Sequence, residues 1–167
     1  MSLVSLLALA LAQGQPPSPP VFPCSQVAIG YYSAGAELGM AESQIETADA
    51  SKDSEDRQRR LDTAVEHYLM VGNLDGDEAV KACALDGLAE VYGPTRLNKP
   101  DKLEEVLGRR FVIKPEDLEP VYRLAALQEA RGAADLAEQT LVAAETAHPT
   151  DAALKKRIAD LRARRGK

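Results

Sequence analysis

Apolar residues recur along most of the chain at alternating spacings of three and four, the period of an amphipathic helix. Over residues 25–48 this stripe consists of Val27, Tyr31, Ala34, Leu38, Ala41, Ile45 and Ala48. Shorter stripes of the same period follow after each polar break. No segment alternates apolar and polar residues for long enough to predict a strand. The pattern therefore predicts an all-α protein.

Capping residues, glycines and prolines divide the chain into helices. Asp53 or Ser54 can cap a second helix, which Gly72-Asn73 ends. A third helix begins near Asp77, and Pro100 suits the first turn of a fourth. The predicted hairpins cover about 25–72, 77–112 and 117–147, and a last helix covers about 152–165.

The segment 118–149 carries a known repeat pattern. Its matching positions are Leu124, Ala125, Ala137, Leu141, Ala144 and Pro149. This spacing of large, small and turn residues resembles the tetratricopeptide repeat, a helix–turn–helix unit of 34 residues. Gln128 departs from the pattern, because the family prefers Tyr at that position.

An earlier copy of the pattern lies in the second hairpin. Its first helix matches at Leu85, Leu88, Ala89 and Tyr92, and its second helix has Leu103, Leu107 and Pro115. The second helix comes two residues later than the family pattern, which we interpret as a lengthened loop at 94–99. Arg110 stands where the family has Ala. The resemblance covers 77–165 well and 25–74 loosely.

The resemblance implies that the hairpins stack into a short right-handed superhelix with a C-terminal capping helix. It also implies a concave groove, lined by the first helix of each pair, that binds a protein or peptide partner. By this resemblance the groove residues are Asp86, Glu90, Tyr122, Arg123, Ala126, Glu129, Lys156 and Asp160. The Lys and Asn set with which some family members hold a peptide carboxylate does not occur in this chain.

The N-terminus predicts export. Residues 3–12 are an apolar run of signal-peptide length, too short to span a bilayer, and Ala10-Leu11-Ala12 is a suitable cleavage site. We assign 1–12 to a signal peptide and expect a periplasmic or secreted protein without a membrane span in its mature chain. No Lys or Arg precedes the run, so a misread start is the alternative. Residues 13–24 are rich in proline and predict an extended spacer before the helical domain of 25–167.

Charge is unevenly distributed along the chain. The net charge is −6, and residues 151–167 hold seven Lys or Arg against two Asp, which leaves −11 for residues 1–150. An acidic body argues against nucleic acid as the partner, because such binding depends on neutralising phosphates. The basic C-terminal segment is the counter-signal to this argument. Its alternative explanation is that cations near a helix C-terminus complement the helix dipole.

Cys24 and Cys83 are the chain's two cysteines. An exported chain meets oxidising conditions, so these residues are candidates for a disulfide. The alternative is a pair of unpaired thiols, with Cys83 packed as a small hydrophobe.

Motifs for catalysis or metal binding are absent from the sequence. His67 and His148 stand apart from any zinc-binding pattern, and the segment 73–77 departs from the calcium-loop pattern. We therefore expect a non-catalytic binding scaffold without cofactor or metal. Two alternatives remain open. One is an enzyme or small-molecule binder with a cleft between the first hairpin and the repeats, and the other is a structural assembly subunit.

Overall fold

The computed structural model describes residues 32–74 and 77–165. The described residues form seven α-helices and no strand, which confirms the predicted all-α class. The helices are α1 (Tyr32–Ala50), α2 (Ser54–Gly72), α3 (Glu78–Tyr92), α4 (Pro100–Ile113), α5 (Glu119–Ala130), α6 (Ala134–Ala147) and α7 (Ala152–Arg165). The predicted signal peptide, the proline-rich segment and the first seven residues of the predicted helical domain lie outside the described residues.

Aspartates cap three of these helices, as their sequence positions predict. Asp53 Oδ1 accepts hydrogen bonds from the amides of residues 55 and 56 at the start of α2. Asp77 does the same for α3, and Asp151 accepts from the Leu154 amide at the start of α7. Pro100 occupies the first turn of α4, where its missing N–H has no helical partner to lose.

Successive helices pack against each other as antiparallel neighbours. In the first pair, late residues of α2 face early residues of α1, since His67 Nδ1 lies 2.6 Å from Glu37 Oε2. In the last pair, Arg162 Nε donates to Glu138 Oε1 across α6 and α7 over 2.7 Å. Each helix contacts the next one along the chain, and α1 also contacts α3. The result is a linear arrangement of helices, which is typical of repeat proteins.

The core of this arrangement has two parts. The first cluster draws on α1 to α4, with Leu38, Leu61, Leu85 and Leu88 among its fully buried residues. The second cluster joins α5, α6 and α7 and consists of Val121, Ala125, Ala137, Leu141, Ala144, Leu154, Ile158 and Leu161. Leu124 belongs to the first cluster although it lies on α5. The boundary between the two clusters therefore falls at the contact of α4 with α5.

The contact between α2 and α3 depends on a glycine. The Tyr68 ring of α2 lies against Gly87 of α3, and a Cβ placed on Gly87 would come 2.3 to 2.8 Å from three ring carbons. Tyr68 is buried, and burial raises the pKa of its phenol to about 12. The ring is confined by its surroundings, so the missing side chain of Gly87 is what allows these helices to approach.

This contact predicts that Gly87→Ala destabilises the protein. Alanine favours helices, but here its methyl group would overlap a buried ring, and overpacking of this kind costs about 1–3 kcal/mol. Urea or thermal unfolding followed by circular dichroism measures the change in the free energy of unfolding.

Gly108→Ala is the matched control. Gly108 also lies inside a helix, but a Cβ there meets no atom within 4 Å. This substitution should stabilise the protein by about 0.5–1 kcal/mol through helix propensity alone. Equal effects of the two substitutions would contradict the role assigned to Gly87.

Candidate binding face

Ion pairs join α3 to α5 and α5 to α7. Arg123 of α5 lies 3.3 Å from the Glu90 carboxylate of α3. Glu129, near the end of α5, pairs with Arg157 and, over 2.6 Å, with Arg164, both of α7. We call the surface of α3, α5 and α7 that carries Glu90, Arg123, Glu129, Arg157 and Arg164 the odd-helix face. Four of the predicted groove residues take part in it or in the adjoining Arg110 pair: Asp86, Glu90, Arg123 and Glu129.

Asp86 belongs to a charged group centred on a buried arginine. Arg110 of α4 donates from Nε to Asp86 and from Nη2 to Asp117, both over 2.8 Å. Its side chain is 9% exposed, whereas the Asp86 side chain is 47% exposed. Burial raises the pKa of the Asp86 carboxyl, and the nearby Arg110 guanidinium opposes that rise. The guanidinium thereby joins α3 to the loop between α4 and α5.

The remaining predicted groove residues differ in exposure. Tyr122 is partly buried against the second core cluster, and burial raises the pKa of its phenol. Ala126 is exposed on α5. Lys156 and Asp160 are exposed on α7, and neither makes an ion pair within the described part of the chain. The odd-helix face thus combines paired charges with one aromatic ring.

A buried polar side chain, Gln128, occupies the position at which the family pattern prefers Tyr. Gln128 is 3% exposed, and its amide nitrogen donates to Glu104 of α4 over 2.9 Å. Its amide oxygen accepts from the Thr140 hydroxyl of α6, also over 2.9 Å. Both ends of the Gln128 side chain are therefore satisfied, which is what a buried amide requires.

The two departures from the family pattern, Gln128 and Arg110, both join neighbouring elements of the fold. The sequence does not predict these hydrogen-bond partners. What it does show is a polar residue at a position that the family pattern assigns to an apolar or aromatic side chain.

The arginines of α7 pair with acidic residues of α5 and α6. Arg162 and Arg165 both bind Glu138 of α6, and Arg165 also binds Asp135. The hydrogen bond from Arg162 lowers the pKa of Glu138 below its ordinary value. These arginines thus connect the last helix to its neighbour. They also lie in the last turn of α7, where cations complement the helix dipole.

The cysteines and histidines occupy separate places. Cys83 is partly buried on α3 and is disulfide-bonded. Because Cys24 lies outside the described residues, its pairing with Cys83 stays a prediction. His67 contacts Glu37, and His148 Nε2 contacts the Pro115 carbonyl oxygen. In the described ranges no group of three or more His, Cys, Asp or Glu side chains is arranged to hold a metal ion.

Two surface depressions lie away from the odd-helix face. One, of about 480 Å³, is lined by residues of α2, and the other, of about 390 Å³, lies between α6 and α7 around Glu138. The alternative of an enzyme with a cleft between the first hairpin and the following helices stays a prediction. Over residues 32–74 and 77–165, no helix is long and apolar enough to cross a membrane.

No protein-family model matches the chain, and no curated protein matches it.

The α6–α7 ion pairs predict a pH dependence of stability. Since the pKa of Glu138 is lower in the folded state than the ordinary 4.5, folding favours its ionised form. Its contribution is then fully present above about pH 4.5 and is lost as the pH falls through its folded-state pKa. Urea unfolding of wild type and Glu138→Gln from pH 7 to pH 3 should show a stability difference that shrinks on acidification.

Glu66→Gln serves as the control for this titration. Glu66 is exposed in the middle of α2 and makes no ion pair among the described residues. This variant should follow the wild-type pH profile throughout. A constant difference between wild type and Glu138→Gln at every pH would contradict the prediction.

Proposed function

We propose that the protein is a non-catalytic scaffold that binds a peptide segment of a partner protein on its odd-helix face. In this proposal the helices form a short tetratricopeptide-like superhelix, and the odd-helix face is its concave groove. The protein acts outside the cytoplasm, in the periplasm or as a secreted protein, because its N-terminus has the pattern of a signal peptide.

The observation that carries the proposal is the set of ion pairs between helices two apart in the chain. The pairs Glu90–Arg123 and Glu129–Arg164 link α3 to α5 and α5 to α7 through their side chains. A groove built from the first helix of each hairpin requires this adjacency. Three of the four residues in these pairs, Glu90, Arg123 and Glu129, come from the set that the family resemblance assigns to the groove, whereas Arg164 does not.

Two further observations support a peptide as the partner. The odd-helix face spans three helices, which gives an extended surface of the kind that repeat proteins use for binding. The depression on α2 is formed by that single helix, and the other is formed by α6 and α7. Charged residues are part of the lining of both. The extended surface therefore supports segment binding better than it supports a buried small molecule.

A substitution on the odd-helix face tests the proposal. Peptides are first selected from a displayed random library against the wild-type chain, with and without a thiol reductant. Ala126→Glu adds a charged side chain in the centre of the face and should weaken the binding of most selected peptides at least tenfold. Fluorescence anisotropy with labelled peptides measures the dissociation constants.

Ala143→Glu is the matched control. Ala143 is also an exposed alanine inside a helix, but it lies on α6, outside the odd-helix face. This variant should bind the same peptides as tightly as the wild type. Selected peptides that tolerate Ala126→Glu, or that lose affinity equally in both variants, would contradict the proposal.

A further inference from the structure

Charged side chains from α3, α4 and α5 form a closed ring where the two halves of the fold meet. Arg110 of α4 makes one side of this ring, since its guanidinium donates to Asp86 of α3 and to Asp117 of the following loop, both over 2.8 Å. Asp117 Oδ1 accepts in turn from the Glu119 amide at the start of α5, over 3.1 Å. This side of the ring therefore connects α3, α4, the loop and α5.

Arg123 of α5 closes the ring on its other side. Its guanidinium lies 3.6 Å from the Glu119 carboxylate and 3.3 Å from that of Glu90, which follows Asp86 by one turn of α3. We call these six residues the junction ring: Asp86, Glu90, Arg110, Asp117, Glu119 and Arg123. Over residues 32–74 and 77–165, the contact of α4 with α5 is the one close backbone contact that joins helices α1 to α4 with helices α5 to α7. The junction ring surrounds this contact.

Negative charge exceeds positive charge in the junction ring. With every group ionised, its four carboxylates and two guanidiniums leave a net charge of −2. Each guanidinium is shared by two carboxylates, so none of the four carboxylates has a cation to itself. Lys114 and Glu116, the other charged residues of the loop, make no ion pair with the ring in the described part of the chain. The carboxylates therefore repel each other more than the two arginines can compensate.

Two carboxyl groups of the ring respond to these surroundings. Desolvation by the surrounding protein raises the pKa of Asp86 above its ordinary value of 3.8 and that of Glu119 above 4.5. The charge of Asp117 raises the pKa of both groups as well, whereas Arg110 opposes the rise at Asp86 and Arg123 opposes it at Glu119. Both carboxyls therefore bind protons more readily in the folded chain than in the unfolded chain.

We propose that the junction ring is a proton-responsive contact between the two halves of the fold. When Asp86 or Glu119 takes up a proton from the solvent, the negative excess of the ring falls and the repulsion among its carboxylates decreases. The contact of α3, α4 and α5 is then more stable, and release of the proton at higher pH reverses the change. The inference goes beyond the proposed function and does not depend on it, because it requires no bound partner.

The direction of the effect is opposite to that at Glu138. For a carboxyl group whose pKa is raised by folding, stability is gained as the pH falls through the folded-state pKa, and the gain is complete below the ordinary value. Glu138, whose pKa is lowered, loses its contribution on acidification. Mild acidification should therefore strengthen the junction before it weakens the contact between α6 and α7.

Urea unfolding of the wild type and Glu119→Gln from pH 7.5 to pH 4.5 tests the inference. The amide has the shape of the protonated carboxyl group and cannot ionise. The wild type should gain stability relative to this variant as the pH falls, by several-fold in the folding equilibrium constant. Glu116→Gln is the matched control, because Glu116 is exposed in the same loop and lies outside the ring. The wild type should gain nothing relative to this control.

A carboxyl NMR titration of the folded chain tests whether the ring acts as a unit. The pKa of Glu119 should lie above 4.5 in the wild type and should fall in Asp86→Asn, because the charge of Asp86 on α3 raises it. Glu90→Gln should lower it for the same reason and replaces Asp86→Asn if that variant does not fold. Glu116→Gln should leave it unchanged.

Three results would overturn the inference. The first is a Glu119 pKa at or below 4.5 in the folded wild type, and the second is a pKa that neither substitution on α3 lowers. The third is a stability difference between the wild type and Glu119→Gln that stays constant from pH 7.5 to pH 4.5.

Discussion

The guanidinium of Arg110 lies 2.8 Å from the carboxylates of both Asp86 and Asp117, and nine-tenths of its side chain is buried. It connects α3 with the loop that leads to α5, where one hydrophobic cluster ends and the other begins. Leu124 of α5 packs into the first of these clusters, and Gln128 of α5 donates a hydrogen bond to Glu104 of α4. Because helices in a linear array contact mainly their neighbours, the cohesion of the two halves depends on this junction.

The charge pattern of the odd-helix face follows from the same linear construction. The backbones of α3 and α5, and of α5 and α7, are not in close contact, and the long side chains of Glu90 with Arg123 and of Glu129 with Arg164 connect them. Exposed pairs of this kind contribute little stability, about 0–1 kcal/mol each. They leave Glu90, Arg123 and Glu129 each with a partner of opposite charge.

Helix limits were predictable because their signals are local. Asp53, Asp77 and Pro100 each act on the backbone within a few residues, and α2, α3 and α4 begin where these residues predict. The end of α2 at Gly72 is predicted in the same way. The buried stripes were predictable for the same reason. The roles of Arg110 and Gln128 were not predictable, since Asp86 and Glu104, the partners that tie them to another helix, each lie 24 residues away in sequence. A periodic pattern shows that such a position faces inward, but it does not show which distant carboxylate or amide meets it there. The close contact of Gly87 with Tyr68 depends on tertiary packing in the same way.

Native-state hydrogen exchange in an Arg110→Ala variant tests most directly whether the junction holds the two halves together. Arg109→Ala is the matched control, because Arg109 bonds Gly72 and Asn73 within the first half of the fold. The account predicts that Arg110→Ala lowers the opening free energy of the slowest amides in α6 and α7 more than that of the slowest amides in α2 and α3, whereas Arg109→Ala does not. An equal decrease in both halves, or no change in α6 and α7, would contradict it.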